Sequence, residues 1–175
     1  QLDDAVKSYK EVVDIEPDFA EMHNNLGVIL KELNQKDAAL KSLERAVAIK
    51  PDFAEAHNNL GNILKELNQQ DASVKCYEKA VALKPDYVDA HYNLGGVLKD
   101  LSQLEASVKS YEKALALKPD FSDAHYNLGG VLKDLGKLEA AVKSYENSLS
   151  IQPNYAEAHN NLGSVLKELG QLDAA

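Results

Sequence analysis

The chain has 175 residues, of which 45% are hydrophobic, and its formal net charge at pH 7 is -9. Nucleic-acid-binding proteins present a basic patch, and anionic membrane surfaces attract clusters of Lys or Arg. The sequence has no such cluster, and no apolar run approaches the about 18 residues that a membrane span needs. We therefore expect neither nucleic acid nor a membrane as a partner.

One period organises the sequence. Consecutive prolines, consecutive histidines and five of the glycines are each separated by 34 residues, as from Pro17 to Pro51. These positions are Pro17, Pro51, Pro85, Pro119 and Pro153, then His23, His57, His91, His125 and His159, then Gly27, Gly61, Gly95, Gly129 and Gly163. A fixed period of this kind indicates a repeat protein. No linker interrupts it, so residues 1–175 are predicted to form a single array.

In chain order, residues 1–19 supply the second helix of an incomplete repeat. Four complete repeats are predicted at 20–53, 54–87, 88–121 and 122–155. Residues 156–175 add a first helix and the start of the next one. With a half repeat at each end, the sequence is interpreted as a segment of a longer protein.

Each complete repeat is predicted to contain two helices, as repeat 54–87 shows. Ala56, Leu60 and Leu64 lie at the spacing of a buried helical stripe, which predicts a first helix over 54–67. A polar turn over 68–70 leads into a second helix over 71–84. Pro85 ends that helix, because proline lacks an N–H and keeps its predecessor out of helical geometry.

Local signals mark the helix ends. The Asx residue after each proline, with an acid three residues later, resembles a capping box, as in Asp52 and Glu55. The residue that follows each first helix is expected in left-handed geometry, which Gly suits, Asn accepts and Ser fits less well. Those residues are Asn34, Asn68, Ser102, Gly136 and Gly170.

The recurrent glycines fall inside the first helices. Glycine there costs about 1 kcal/mol relative to alanine, so its recurrence needs a reason. A close contact with the second helix supplies one, and Tyr77, Tyr111 and Tyr145 are the neighbours expected to fill the adjacent space. Because one repeat cannot bury its apolar faces alone, the repeats are expected to stack.

These residues resemble the tetratricopeptide repeat (TPR) family. The matching pattern in one repeat is Leu60, Gly61, Ser73, Tyr77, Ala80 and Pro85. The resemblance covers the whole chain and implies an all-α fold, in which antiparallel helix hairpins form a right-handed superhelical solenoid. It also implies that the first helices line a concave groove. The chain departs from the family in having His where Trp is frequent, and Leu64 and its equivalents where Tyr is frequent.

A ladder of asparagines lies on the polar side of the first helices. Its members are Asn25, Asn59, Asn93, Asn127 and Asn161. A primary amide both donates to a carbonyl and accepts from an N–H, which is the chemistry needed to hold an extended peptide backbone. A similar ladder occurs in the repeat domain of protein O-GlcNAc transferases, which this chain resembles in its Asn-Leu-Gly segments. The alternative is that these asparagines bind neighbouring repeats or water for structural reasons.

The central repeats carry a different pair of residues on this face. Tyr92 occurs with Gly96 and Tyr126 with Gly130, four residues apart and therefore on one side of the helix. Each pair is interpreted as an aromatic plate beside an empty spot, which suits a ligand side chain. The alternatives are that Tyr covers the gap left by Gly, or that the two repeats are a recent duplication. The other repeats have Asn24 with Val28, Asn58 with Asn62, and Asn160 with Ser164; Asn58 and Asn62 are included in the predicted groove.

A second ladder consists of lysines. Its members are Lys31, Lys65, Lys99, Lys133 and Lys167, each followed by an acid. Lys65, Lys99 and Lys133 are included in the predicted groove, since lysine there can bind an acidic ligand. Rows of this kind more often form solvated ion pairs between repeats, each worth little, and we favour that interpretation.

A clamp for carboxylate-rich tails, as in heat-shock-organising TPR domains, is not predicted. The places that carry basic residues in those domains hold Glu55, Asn58, Asp89 and Asn93. A groove lined in this way is expected to repel such a tail.

No catalytic residue, metal or cofactor is predicted. The histidine row lacks a third and a fourth ligand at suitable spacing, so packing in place of Trp is the preferred interpretation. Cys76 stands where other repeats carry serine, and we interpret it as a surface position. A single cysteine is compatible with a reducing compartment, and the cytoplasm is the compartment we expect.

Three functions remain open. The leading hypothesis is a non-catalytic protein-interaction scaffold whose groove binds an extended peptide or partner segment. The second is the substrate-recognition arm of a larger glycosyltransferase or sulfotransferase, with the catalytic domain outside these residues. The third is a module that self-associates end to end, because both termini are expected to expose apolar helix faces.

Overall fold

The structure is a computed structural model that describes residues 2–170, with side chains described from residue 6 onward. Ten helices are present: α1 (Leu2–Ile15), α2 (Ala20–Glu32), α3 (Lys36–Ile49), α4 (Ala54–Glu66), α5 (Gln70–Leu83), α6 (Val88–Asp100), α7 (Leu104–Leu117), α8 (Ser122–Asp134), α9 (Leu138–Ile151) and α10 (Ala156–Glu168). Residues 2–170 contain no strand. The predicted start of another helix after Gly170 lies outside the described residues.

The chain divides into two compact units, residues 1–90 (unit 1) and residues 91–175 (unit 2), with the boundary inside α6. Each unit has an apolar core of its own. The core of unit 1 includes Val6, Leu26, Leu30, Leu43, Leu60, Ile63 and Leu64. The core of unit 2 includes Tyr111, Leu128, Val131, Leu132, Tyr145 and Val165.

Consecutive first and second helices pack as hairpins, α2 with α3 and α4 with α5 in unit 1, and α8 with α9 in unit 2. The bounds of α4 and α5 agree with the predicted helices over 54–67 and 71–84 to within one residue. The three-and-four spacing of the apolar residues therefore located both helices of this repeat.

The N-terminal caps of the first helices differ from the prediction. The residues before α2, α4, α8 and α10 are Phe19, Phe53, Phe121 and Tyr155, and none of them makes a capping side-chain hydrogen bond. Asp18 Oδ1 instead accepts a hydrogen bond from Arg45 Nη2 at 2.7 Å, and Glu21 Oε1 accepts one from Lys50 Nζ at 2.8 Å. The predicted capping box is wrong, because each helix begins one residue too late for it and these acids bind basic residues near the following helix.

The turns after the first helices have the expected geometry. The values of φ are 58° at Asn34 and at Asn68, 59° at Ser102, 71° at Gly136 and 76° at Gly170. After α4, the Asn68 N–H donates to the Lys65 carbonyl at 3.0 Å and the Gln69 N–H to the Leu64 carbonyl at 2.9 Å. This pair of bonds is the Schellman motif, which satisfies the last carbonyls of the helix. The prediction of left-handed turns is confirmed, with the less favourable Ser102 included.

The glycines inside the first helices lie against the second helices, as expected. A Cβ added to Gly61 would be 2.6 Å from Tyr77 Cε1, and one added to Gly129 would be 2.8 Å from Tyr145 Cε1. Both tyrosines are almost completely buried. Only a residue without a side chain leaves room for these rings, so the close contact that the sequence indicated is confirmed.

The histidines tie each first helix to the turn that precedes it. His57 Nε2 lies 3.0 Å from the Pro51 carbonyl oxygen, and His125 Nε2 lies 3.0 Å from that of Pro119. His23 and His159 make the same contact. The ring therefore holds the end of the previous repeat through a hydrogen bond, a role that the simple packing interpretation did not include.

Candidate functional site

The candidate site is the polar side of the first helices, which we call the first-helix face. It is formed by the fifth, sixth, ninth and twelfth residues of each first helix, so it contains both predicted ladders. Unit 1 contributes this face from α2 and α4, and unit 2 contributes it from the part of α6 after Ala90, from α8 and from α10.

In unit 1 the asparagine ladder is an amide-to-amide contact. Asn59 Nδ2 donates to Asn24 Oδ1 at 2.9 Å, and Asn24 Nδ2 donates a longer bond of 3.4 Å to Asn25 Oδ1. Asn24 is buried, whereas Asn25 and Asn59 are half-buried. The donor of Asn59 is thus used within the protein, as the structural alternative for this ladder expected.

Asn58 and Asn62 lie near tyrosines of unit 1. Asn62 Oδ1 accepts from the Tyr77 hydroxyl at 2.7 Å. Asn58 is only 5% exposed. Burial raises the pKa of Tyr87, and a hydrogen bond with Asn58 partly offsets the rise. The Tyr77 hydroxyl therefore occupies the oxygen of Asn62, and Asn58 is largely closed to solvent, which limits what the two amides offer to a ligand.

In unit 2 the ladder changes its chemistry. Asn127 Nδ2 donates to the Tyr92 hydroxyl at 2.9 Å, and Asn161 Nδ2 donates to the Tyr126 hydroxyl at 3.1 Å. Asn93 occupies the same position of α6 and is half-buried, like Asn127 and Asn161. Because the acceptor is a phenol oxygen, its own O–H remains a donor.

Tyr92 and Tyr126 each pack against two other aromatic rings. The Tyr92 ring lies 4.7 Å from the Phe121 ring and 5.8 Å from the Tyr111 ring. Tyr126 lies 4.8 Å from the Tyr155 ring and 5.9 Å from the Tyr145 ring. Tilted pairs at these centroid distances are favourable. Packing on these neighbours holds both rings in place, so they form a rigid part of the face.

Three lysines of the second ladder have different surroundings. Lys31 Nζ forms an ion pair with Glu66 of the next repeat at 3.4 Å, which is the interpretation that the sequence favoured. Lys133 Nζ donates to Ser164 Oγ at 3.1 Å. Lys99 Nζ lies 3.3 Å from where a Cβ of Gly130 would be.

The acids near the start of the first helices have different partners in the two units. Glu55 binds Lys84 Nζ at 2.9 Å, and this hydrogen bond lowers the pKa of the carboxyl group. In unit 2, burial and then the nearby Asp123 carboxylate raise the pKa of Tyr155 to about 12. A neutral phenol thus takes the place of a cation.

Other site chemistry is limited in the part of the chain that the structure describes. Within residues 2–170 no three His, Cys, Asp or Glu side chains are placed to hold a metal ion. Burial raises the pKa of the half-buried Cys76 thiol to about 11, which keeps it protonated at neutral pH. Among the described helices, none is long and apolar enough to cross a membrane.

Sequence comparison identifies the family. The TPR repeat profile matches residues 1–34, 27–68, 61–102, 97–136 and 130–170. The chain belongs to the TPR family. No curated protein sequence matches it significantly.

Solved structures share this TPR fold. A crystal structure of MamA is 28% identical with a TM-score of 0.82, covering 89% of this chain and 91% of that one. A fragment of MamA from Desulfovibrio magneticus RS-1 is 21% identical with a TM-score of 0.82, covering 89% and 88%. YrrB, described as a TPR protein with an unusual peptide-binding site, is 21% identical with a TM-score of 0.84, covering 95% and 86%. The predicted all-α TPR fold is confirmed, and at the lowest identities the likeness concerns the fold alone.

Proposed function

We propose that this TPR chain is a protein-interaction scaffold that binds an extended peptide or partner segment along its first-helix face. The observation that carries the proposal is the repeated orientation of the ladder amides. Asn59, Asn127 and Asn161 each direct Nδ2 to the fifth residue of the preceding first helix. The resemblance of the ladder to O-GlcNAc transferases, the transferase arm and end-to-end self-association stay predictions.

The internal hydrogen bond orients each ladder amide but leaves some of its donors and acceptors unused. A primary amide has two N–H donors and a carbonyl oxygen with two lone pairs, and the bond from Asn127 to Tyr92 uses one donor. The carbonyl oxygen and the second N–H then match the N–H and C=O groups of an extended backbone. The structural role of the ladder and peptide capture are therefore compatible.

The spacing of the ladder suggests how a peptide would lie. Neighbouring packed helices are about 8–10 Å apart, and an extended chain rises about 3.3 Å per residue. Successive asparagines would thus contact about every third residue of the peptide. Since a hydrogen bond contributes about 0.5–1.5 kcal/mol net, several of them give at most micromolar affinity.

Relatives of the same fold add support. The family is built from repeats whose stacking creates an extended binding surface. YrrB is described as having a peptide-binding site, although its site residues cannot be transferred at 21% identity. The fold therefore suits the proposed activity, and the residues of this chain must supply the specificity.

The test is a peptide-array screen with the parent protein and with a variant carrying Asn59→Ala, Asn93→Ala and Asn127→Ala. We expect the parent to bind extended peptides and the variant to lose that binding. Asn147→Ala is the matched control, because Asn147 lies on the second helix α9, away from the ladder. Circular dichroism of each variant verifies that the helices remain.

Peptides with a modified backbone also test whether the asparagines bind backbone groups. Backbone N-methylation removes the peptide N–H donors without changing the side chains. Peptides methylated at every third residue should lose binding to the parent if the asparagines hold the backbone. Equal binding by methylated and unmodified peptides, or by the parent and the triple variant, would remove the ladder from the mechanism.

A further inference from the structure

The most informative feature outside the ladder contacts is the ammonium group of Lys99 in unit 2. Its Nζ lies 3.3 Å from the Cβ position that Gly130 leaves empty, and the Tyr145 hydroxyl lies 3.7 Å from the same position. Among the described side chains, none makes a hydrogen bond or an ion pair with Lys99. Lys99 is half-buried, so part of its side chain remains accessible from the first-helix face.

The next repeat shows why Lys99 lacks a partner. Lys133, the equivalent of Lys99, donates to Ser164 Oγ at 3.1 Å, and Ser164 is the equivalent of Gly130. In both places the lysine extends over the ninth residue of the following first helix. At Gly130 that residue has no hydroxyl to accept the bond, which leaves the ammonium group of Lys99 facing an open spot.

The acid of the following repeat does not replace that acceptor. In unit 1, Lys31 pairs with Glu66 at 3.4 Å. The corresponding acid for Lys99 is Asp134, which is shorter by one methylene group. Asp134 is near enough to contribute to the raised pKa of Tyr145 but forms no ion pair with Lys99. Lys99 therefore has neither a hydroxyl acceptor nor a carboxylate partner among the described side chains.

Hydrogen-bond donors surround the open spot. Asn161 Nδ2 donates to the Tyr126 hydroxyl at 3.1 Å, so the O–H of Tyr126 remains available as a donor. The hydroxyl of Tyr145 stands beside the spot with Lys99. Burial raises the pKa of Tyr145 to about 12, so this phenol is a donor and not an anion at neutral pH. An ammonium and two phenols match an anionic oxygen ligand.

The positions of charged residues along α8 indicate which end of the helix would accept an anionic ligand. Asp123 lies near the start of α8 and Lys133 near its end, ten residues later and therefore about 15 Å away. The lysines thus lie at the end of this face opposite to Asp123, together with Asp134, the acid that also affects Tyr145. A carboxylate is disfavoured beside Asp123, as the absence of a carboxylate clamp implied, but not beside Lys99.

We propose that Lys99, with Gly130 below it and Tyr126 and Tyr145 beside it, forms a subsite for the carboxylate side chain of an Asp or Glu residue in the bound peptide. The inference rests on the proposed peptide binding and adds a chemical preference to it. Gly130 is the residue that determines this specificity, because its lack of a side chain both makes room and leaves Lys99 unpaired.

The probe is a set of arrayed peptides of about 12 residues, long enough to pass three ladder positions in an extended conformation. Each sequence is made in pairs that differ by Glu against Gln at one position. We expect the parent protein to prefer Glu by about tenfold at one register, which is the strength of a charge-assisted hydrogen bond. Dissociation constants are measured by fluorescence polarisation at two salt concentrations.

Four variants distinguish the subsite from general attraction. Lys99→Met should abolish the Glu preference, and Lys99→Glu should reverse it in favour of Gln. Gly130→Ser should also abolish it, because the new hydroxyl would bind Lys99 as Ser164 binds Lys133. Lys31→Met is the control, since Lys31 is paired with Glu66 and should leave the preference unchanged.

A reciprocal substitution gives an independent readout. Ser164→Gly together with Glu168→Asp reproduces at Lys133 the missing hydroxyl and the shorter acid found at Lys99. This double variant should add a second, weaker Glu-preferring register about three residues along the peptide, weaker because Asn160 stands in place of Tyr126. Equal affinity for Glu and Gln peptides, or a Glu preference that survives Lys99→Met, would overturn the subsite while leaving peptide binding intact. If no peptide binds the parent, the proposed function fails as well, so the two failures are distinguishable.

Discussion

The two units present different chemistry at equivalent positions of the first-helix face. In unit 1 the fifth residue is an asparagine, and the Asn59 amide binds the Asn24 amide. In α6 and α8 the fifth residue is a tyrosine, and Asn127 in unit 2 binds the Tyr92 hydroxyl. The sixth residue is asparagine in every first helix, so only the residue that accepts its hydrogen bond differs.

This difference affects how much of the face remains for a ligand. Unit 1 pairs its polar groups internally, as Lys31 with Glu66 and Asn62 with Tyr77 show. Unit 2 replaces two of these acceptors by Gly130 and by a shorter acid. A periodic scaffold can therefore keep its helices unchanged while single side chains decide which unit is available to a partner. On this comparison we expect unit 2 to make the more specific contacts.

The largest expected effect comes from two adjacent glycines of α8. A Cβ on Gly129 would meet Tyr145 at 2.8 Å, whereas one on Gly130 would meet the flexible end of Lys99 at 3.3 Å. Gly129→Ala should destabilise the protein by about 1–3 kcal/mol, because overpacking exceeds the gain in helix propensity. Gly130→Ala should be neutral or stabilise it by up to about 1 kcal/mol.

Urea denaturation followed by circular dichroism measures both changes. Gly61→Ala, which meets Tyr77 at 2.6 Å, is the corresponding test in unit 1 and should behave like Gly129→Ala. Similar stability of the two α8 variants would show that the ring of Tyr145 yields more easily than its burial indicates.

The second prediction concerns the phenol that distinguishes unit 2. Tyr126→Phe keeps the ring against Tyr145 and Tyr155 but removes the acceptor of Asn161. We expect a loss of about 0.5–1.5 kcal/mol, the net value of a hydrogen bond. A double-mutant cycle with Asn161→Ala measures the coupling directly. A coupling energy near zero would mean that water replaces the phenol without cost.

The sequence contained much of the fold, for reasons visible in particular residues. The 34-residue period located the helices, and the recurrence of Gly61 beside Tyr77 indicated a contact that the structure places at 2.6 Å. These features depend on the backbone and on close packing, which leave a strong periodic signal. The predicted capping box was wrong, because Asp18 can cap a helix or bind a basic residue, and the pattern of residues does not distinguish the two.

The candidate site was less predictable. The ladder positions could be identified from their spacing, but the partner of each amide depends on the fifth residue of another repeat, as with Asn127 and Tyr92. The different situations of Lys99 and Lys133 depend on whether the ninth residue of the next repeat carries a hydroxyl. Comparing each lysine with the ninth residue one repeat later could have found this signal in the sequence.

The third prediction compares the turns of the two units. Unit 1 uses Asn34 and Asn68 at the left-handed position, whereas the first such turn of unit 2 uses Ser102, with φ of 59°. Serine is strained there and glycine is not. Ser102→Gly relieves about 1–2 kcal/mol of strain and costs about 0.4–1 kcal/mol of unfolded-chain entropy, so it should stabilise the protein by up to about 1 kcal/mol. Asn68→Gly should have a smaller effect, because asparagine accepts this conformation. Thermal denaturation of the two variants checks the order, which an equal response would contradict.

The smallest expected effect is a pH dependence in the ion pairs of unit 1. Hydrogen bonds from Lys50 and Lys84 lower the pKa values of Glu21 and Glu55 below the ordinary 4.5. A lowered carboxyl pKa contributes stability above the unfolded value, and this contribution is lost as the pH falls through the folded value. Acidification below about pH 4.5 should therefore weaken both pairs, only slightly because the side chains are exposed and screened.

Unit 2 provides the contrast for this last effect. Gln152 stands where Lys84 stands in unit 1, and Asp123 influences the pKa of Tyr155 instead. Lys84→Gln imitates that arrangement, so it should raise the pKa of Glu55 toward its ordinary value while leaving Glu21 unchanged. Carboxyl carbon NMR titration of the parent and the variant resolves the two groups. An unchanged Glu55 titration would mean that its own backbone N–H, which also lowers its pKa, is sufficient without the lysine.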